Sequence, residues 1–231
     1  MNVLAFDTSS DVLSIAIESD KKYYNLTYTI GRNFSEQLVN QLKSSLESVN
    51  LSFKDLDLIV CSKGPGSFTG LRVGMAAAKG IAVASSKPFI SLSSMEIYQY
   101  PLSETNQVIL SVLDGKKERY YNALFINGKR LSEDSDLTIG QIVDFLVNYK
   151  EVVVTGYDAQ QAFKKLCDEV TSRNLNIKLL LDPTHMGSYG QSMIELGKNL
   201  FLEQGGDPLG VGPTYVRKSD AELSLEKANN N

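Results

Sequence analysis

Gly64-Pro65-Gly66-Ser67-Phe68-Thr69-Gly70-Leu71-Arg72-Val73-Gly74 is the stretch from which the fold can be read. In front of it stands Leu58-Ile59-Val60-Cys61, an apolar run with the length and residue types of a buried strand. Behind it, Met75 to Ala84 is rich in alanine, a strong helix former. The stretch therefore reads as strand, tight loop, helix. Gly64 and Gly66 permit positive φ and close backbone approach. Ser67 or Thr69 can cap the helix through a side-chain oxygen. A glycine loop at a helix start also turns free N–H groups outward, which suits an anion.

Three better-known glycine motifs do not fit. A phosphate loop needs a Gly-Lys pair, which is absent from the stretch. A dinucleotide loop needs a third glycine where Thr69 stands, and an acid near Ala84-Ser85-Ser86. A nucleophilic serine elbow needs glycine where Pro65 stands, so Ser67 reads as a helix cap. Along the helix, Gly70, Gly74 and Ala78 fall on one line, and Ala77, Ile81 and Ala84 near another. Two readings follow: close packing on the protein's own sheet, or a helix that also meets a partner.

The 231 residues fit one large or two small domains. A net charge of −4 supplies no overall pull toward nucleic acid, so any RNA would be held mainly through a partner. The N-terminus lacks a basic region and meets Asp7 too early for a signal peptide. No apolar run approaches the roughly 20 residues of a membrane helix. Cys61 and Cys167 are far apart and form no metal or redox motif, Cys61 reading as a buried strand residue. A reducing, cytoplasmic setting is expected. The lone His185 sits in a turn-like loop, and one histidine builds no zinc motif, so no metal and no cofactor are expected.

From the start, Val3 to Asp7 is a short strand ending in Asp7-Thr8-Ser9-Ser10, a tight polar turn. Val12 to Glu18 alternates as a second strand, and Tyr23 to Ile30 is a third. Asn33 opens a helix with Glu36 three residues on, and Leu38, Leu42, Leu46 and Val49 form its apolar stripe, with Val39 beside it. The strand at Leu58, the glycine loop with its helix, a short strand at Phe89-Ile90 and a helix to about Tyr100 complete a first half, 1–103. The order then repeats over 104–205. Gln107 to Leu113 is a strand ending at Asp114-Gly115, where Asp7 stood. Arg119 to Ile126 is a second strand, Asn127-Gly128 a hairpin turn and Lys129 to Ser132 a third strand. A helix at Thr138–Tyr149, a strand at Glu151–Thr155 before Gly156, a helix at Ala159–Cys167, a strand at Lys178–Leu181 and a last helix at Ser188–Glu203 follow. That last helix is expected to pack back on the first half. Residues 206–231 read as a tail, its end disordered.

Two α/β halves of βββαβαβα type, each with a first strand ending in Asp, match the duplicated actin-like ATPase (ASKHA) fold. In such folds the two Asp turns face each other across a cleft and hold phosphate and metal. Asp7, Thr8, Ser9, Gly64, Gly66, Ser67 and Asp114 are the residues here that would line such a phosphate site.

The residues also resemble a known family. Asp7-Thr8-Ser9, the glycine stretch through Gly74, and Pro213-Thr214-Tyr215-Val216-Arg217 occur in the order and places seen in the TsaB (YeaZ) family. The likeness runs from Val3 to about Arg217. It implies a protein of the TsaD superfamily that works with TsaD and the ATPase TsaE to install threonylcarbamoyl on an adenosine beside the tRNA anticodon. It implies a non-catalytic subunit that touches tRNA only through the complex and forms a homodimer when alone. The family pairs through its first two helices, here about Asn33–Asn50 and Thr69–Ser85. Leu38, Leu42, Leu46, Gly70, Gly74, Ala77, Ala78 and Ile81 are the interface residues this implies. TsaD holds its metal with histidines on the first helix, where this chain has Phe34, Gln37 and Gln41. Many TsaB relatives keep a histidine at the place of Phe34, and most read Gly-Glu where this chain has Glu118-Arg119.

Three other functions compete. A small-molecule kinase would set Asp7 and Asp114 on metal and phosphate, but it needs an adenosine loop, for which Gly156-Tyr157-Asp158 is a thin candidate, and a base. A TsaD-like transferase is opposed by the missing histidines. A peptidase is opposed by the missing nucleophile constellation.

Overall fold

The computed structural model describes residues 1–20, 22–29, 34–184 and 188–217, leaving aside the side chains of 34–36. The capping pair Asn33 and Glu36, the side chain of Phe34, His185, and the tail from 218 lie outside what is described.

The first half opens with an antiparallel meander, β1 (Val3–Asp7), β2 (Val12–Ser19) and β3 (Lys22–Thr29). Helix α1 (Phe34–Glu47) leads to β4 (Leu58–Gly64), then α2 (Phe68–Ser85), β5 (Phe89–Ser93) and the short α3 (Ser94–Gln99). The sheet order is β3-β2-β1-β4-β5, with β4 and β5 parallel to β1. Alternation along the strands separates two cores. Leu4, Phe6, Leu13, Ile15 and Ile17 face α1 and α2, whereas Val3, Ala5, Ala16 and Val60 face the other way.

The second half repeats the plan with β6 (Val108–Asp114), β7 (Arg119–Ile126), β8 (Lys129–Arg130), β9 (Ser135–Thr138), α4 (Ile139–Leu146), β10 (Glu151–Thr155), α5 (Ala159–Ser172), β11 (Lys178–Leu181) and α6 (Gly190–Gln204). Its order is β11-β10-β6-β7-β8, with β9 also on β7. The third strand expected at Lys129–Ser132 is therefore two pieces, because the Ser132 hydroxyl accepts the Leu124 N–H at 2.9 Å and takes a ladder position from the backbone. Asn127 and Gly128 both have positive φ, as a two-residue hairpin of this hand requires.

Helix α6 lies on the first sheet, not the second. Met193 and Ile194 join Val3, Ala5 and Val60, Gly197 lets the helix approach Val60, and Lys198 pairs with Glu18 at 2.6 Å. The polar positions of β2, Ser14 and Glu18, are buried under this helix. Residues 206–217, expected as part of a tail, run back along the body. The Asp207 N–H donates to Phe89 O, its carboxylate accepts from Ser91, and Thr214 N–H donates to Lys63 O at 2.7 Å. Among the described residues no helix is long and apolar enough to cross a membrane.

Candidate functional site

The glycine loop closes on the first Asp turn. Ser67 caps α2, its hydroxyl accepting the Gly70 N–H at 3.3 Å, while its own N–H donates to Ser9 O at 2.6 Å. A Cβ on Gly66 would collide with Ser9, one on Gly70 with the Thr8 carbonyl, and one on Gly74 with the Thr8 side chain. Gly64, at φ +103°, would meet Leu71 and Thr214 O. Thr8 in turn donates its hydroxyl to Gly70 O at 2.9 Å. The line of small residues on α2 is thus a seat for the Thr8-Ser9 backbone. Gly70, Gly74 and Ala78 are buried within the chain, Gly70 and Gly74 packing directly on Thr8. Leu38, Leu42 and Leu46 are likewise wholly buried, in one core cluster with residues of β1, β2 and β4. Periodicity shows that a helix face is apolar, but it cannot show whether the chain's own sheet already covers that face.

Asp7 is sealed. Its Oδ1 accepts the Ser9 N–H at 2.8 Å and its Oδ2 the hydroxyl of buried Tyr98 at 3.2 Å. Burial, reinforced by the Asp7 charge, pushes the Tyr98 phenol well up, so it stays a donor. The second turn repeats the first locally: Asp114 Oδ1 accepts the Lys116 N–H at 2.8 Å. Asp114, however, remains at the wall of a cleft of about 420 Å³ between the two turns. There the Lys116 ammonium stands 3.1 Å from Asp114 and 3.5 Å from Asp11 of the first half. Asp158 accepts the Asp114 N–H at 2.9 Å, and burial raises its carboxyl above the usual range against that bond.

The fold would put a phosphate and its metal between these turns. The residues present do not fit that pair. Both Asp7 oxygens accept bonds inside the fold, the Ser67 N–H is spent on Ser9, and a lysine ammonium is paired with Asp114 and Asp11 in the cleft. Among the described residues no group of three or more His, Cys, Asp or Glu could hold a metal. Cys61 is buried beside α2, and burial pushes its thiol up to about 12, too high for a thiolate nucleophile. Thr155-Gly156 is also structural: the Thr155 hydroxyl donates to Asp182 at 2.7 Å, and Gly156, at φ +120°, sits against Val112 O.

The outer faces of α1 and α2 are different. Between them lies an apolar groove of about 760 Å³ lined by Val39, Phe53, Ala76, Ala77, Gly80, Ile81 and Ala84. Val39 is 47% exposed and Val83, on the same helix as Gly80, 60%. A Cβ on Gly80 would meet no described atom within 4 Å. Of the eight residues the resemblance implied, Ala77 and Ile81 line this groove. The sequence carried the remaining signal in Ala76, Gly80 and Ala84, spaced by four along α2.

The family described as TsaD, tRNA N6-adenosine threonylcarbamoyltransferase, matches residues 12–193. A Bacillus subtilis protein named tRNA threonylcarbamoyladenosine biosynthesis protein TsaB is 28% identical over 96% of this chain and 96% of its own length. A protein of the same name from Buchnera aphidicola is 31% identical over 52% of this chain, which spans 55% of that relative. Among solved structures, a Pseudomonas aeruginosa protein described as similar to the peptidase YeaZ has a TM-score of 0.75 at 18% identity, covering 94% of this chain and 99% of its own. A Bacteroides thetaiotaomicron protein described as having an actin-like ATPase fold and unknown function has a TM-score of 0.50 at 10% identity, covering 84% and 95%.

Proposed function

The chain belongs to the TsaD family, on the side of its TsaB (YeaZ) members, and from there we propose that it serves tRNA threonylcarbamoyladenosine biosynthesis as the non-catalytic partner of TsaD. The observation that carries this reading is the α1–α2 groove, an apolar surface lined by small side chains. Contiguous apolar surface of this kind marks protein association. Small side chains at Ala76, Ala77, Gly80 and Ala84 admit another helix pair to close range. TsaD, which shares this fold, offers such a pair, and so does a second copy when the chain is alone. TsaE and the tRNA then join through the complex, in the cytoplasm. The absence of catalysis in this subunit is supported by the sealed Asp7 and by Lys116 between the acidic turns. A kinase of this fold would need both positions on its ligand.

The test uses Gly80→Trp. The position is open, so the substitution should leave melting unchanged or slightly higher, since glycine is a poor helix residue. Sedimentation should then show loss of self-association and of TsaD binding. Gly74→Leu should behave in the opposite way, lowering the melting temperature first, because that residue faces Thr8. If Gly80→Trp leaves association intact, the groove is not the interface.

A further inference from the structure

The strap formed by residues 206–217 touches three places in turn: the edge of the first sheet, α2 and the cleft mouth of the second half. At its start Asp207 is pinned to the β5 edge through Ser91, with 2.8 Å and 2.6 Å bonds. In its middle it is held by α2. Lys79 Nζ donates to Val211 O, the Tyr215 ring stacks on Phe68 at 4.4 Å, and Arg72 Nε donates to the Tyr215 hydroxyl at 3.0 Å. At its end it crosses the mouth of the cleft. Arg217 donates to Gly115 O at 2.6 Å, stands 3.6 Å from Asp136 and lies over the Tyr121 ring. Gly115, Tyr121 and Asp136 all belong to the second half.

Helix α2 therefore has two outer duties. One stretch of its surface, at Ala76, Gly80 and Ala84, lines the groove. Another, at Phe68, Arg72 and Lys79, carries the strap. We infer that the strap is a clasp between the halves, with Arg217 as its closing residue, and that it couples seating of a partner on α2 to the opening of the cleft. The coupling half of this inference rests on the partner surface proposed above; the clasp half does not. Arg217 has the geometry for the task. A planar guanidinium can bond a carbonyl, face a carboxylate and lie on a ring together, which a lysine cannot do. Asp136 is nearly buried and already bonds Arg119 at 2.9 Å, so it is a fixed anchor. Lys116 with Asp11 is the second tie across the cleft, but both are well exposed, so it is the weaker.

Such a device has a thermodynamic consequence. If a partner binds the clasped form better, releasing the clasp must weaken the partner, and the partner must tighten the clasp by the same factor. The experiment places spin labels at Lys43→Cys on α1 and Lys164→Cys on α5, with Cys167→Ser, and reads the distance between the halves. The full chain is used throughout. Arg217→Ala should lengthen and broaden the distance distribution and weaken self-association or TsaD binding about five- to a hundredfold. Arg217→Lys, which keeps the charge, should fall between, and it serves as the main variant if the alanine protein does not fold. Tyr215→Ala should reproduce the widening from the other end of the clasp. An unchanged distribution in Arg217→Lys and Tyr215→Ala overturns the clasp. Widening with unchanged association overturns the coupling. Should the unaltered protein neither self-associate nor bind TsaD, the reading of the groove fails, while the clasp is still judged on the distances.

Discussion

The two Asp turns share one local geometry and differ in what surrounds them. Asp7 and Asp114 each end the central strand of a sheet and each accept the N–H two residues on at 2.8 Å. Around Asp7 the following strand–helix loop is Gly64-Pro65-Gly66-Ser67, whose glycines let backbone reach backbone, and the carboxylate is shut in under Tyr98. Around Asp114 the equivalent loop supplies a side chain, Asp158, and the carboxylate is left 23% exposed at the cleft with a lysine for company. One duplicated plan thus yields a turn whose carboxylate is buried and bonded within the fold and a turn that still faces water. The difference lies in side-chain volume after the parallel strand.

The largest effects should come from breaking what the halves share. Gly70→Val drives a branched side chain into the Thr8 carbonyl, and Gly156→Val does the same at Val112 O. Each should cost more than about 3 kcal/mol and leave little folded protein in a denaturant melt. Next comes the contrast itself. Asp7→Ala strands a buried Ser9 N–H and removes a partner of Tyr98, for about 2 kcal/mol. Asp114→Ala acts at a part-exposed site and should cost under about 1 kcal/mol. Equal losses in the two variants would mean that the turns are not environmentally distinct.

A smaller effect belongs to Glu18 under α6. Burial raises its carboxyl, but the Lys198 and Tyr23 bonds outweigh that and hold it below its usual value. A group depressed in the folded state stabilises above its unfolded pKa, and that stability is lost as pH falls through the folded value. The unaltered protein should therefore lose stability on acidification below roughly pH 4.3, and Glu18→Gln should lose less over that window. Parallel stability–pH curves for the two proteins would show that the Lys198 bridge contributes nothing.

How much of this could be read from residues is instructive at particular places. The Asp turns, the glycine loop and the Ser67 cap were legible because each depends on local chemistry. The strand β9 was not, since Ser135-Asp136-Leu137-Thr138 has neither alternation nor an apolar run; it is a strand only because β7 offers it an edge. The Leu38, Leu42 and Leu46 stripe was found correctly as apolar, but it faces the sheet. The outward signal was the smaller one, Ala76, Gly80 and Ala84, which leaves no bulk to notice. The strap's contacts with α2, β5 and Gly115 join residues more than a hundred positions apart, and no local pattern encodes them.

Helix α6 sets a timetable for synthesis. The first sheet is complete in sequence by residue 93, yet one of its faces, with Val3, Ala5 and Val60, is roofed by residues 190–204. At elongation speeds of about 5–20 residues per second, that face waits on the order of 5 to 20 seconds for its cover. During that interval the growing chain carries a finished sheet with one greasy side, a surface that invites a chaperone. Slow codons between residues 104 and 189 would lengthen this wait, whereas the outer face of the second sheet receives α4 and α5 almost as soon as it emerges.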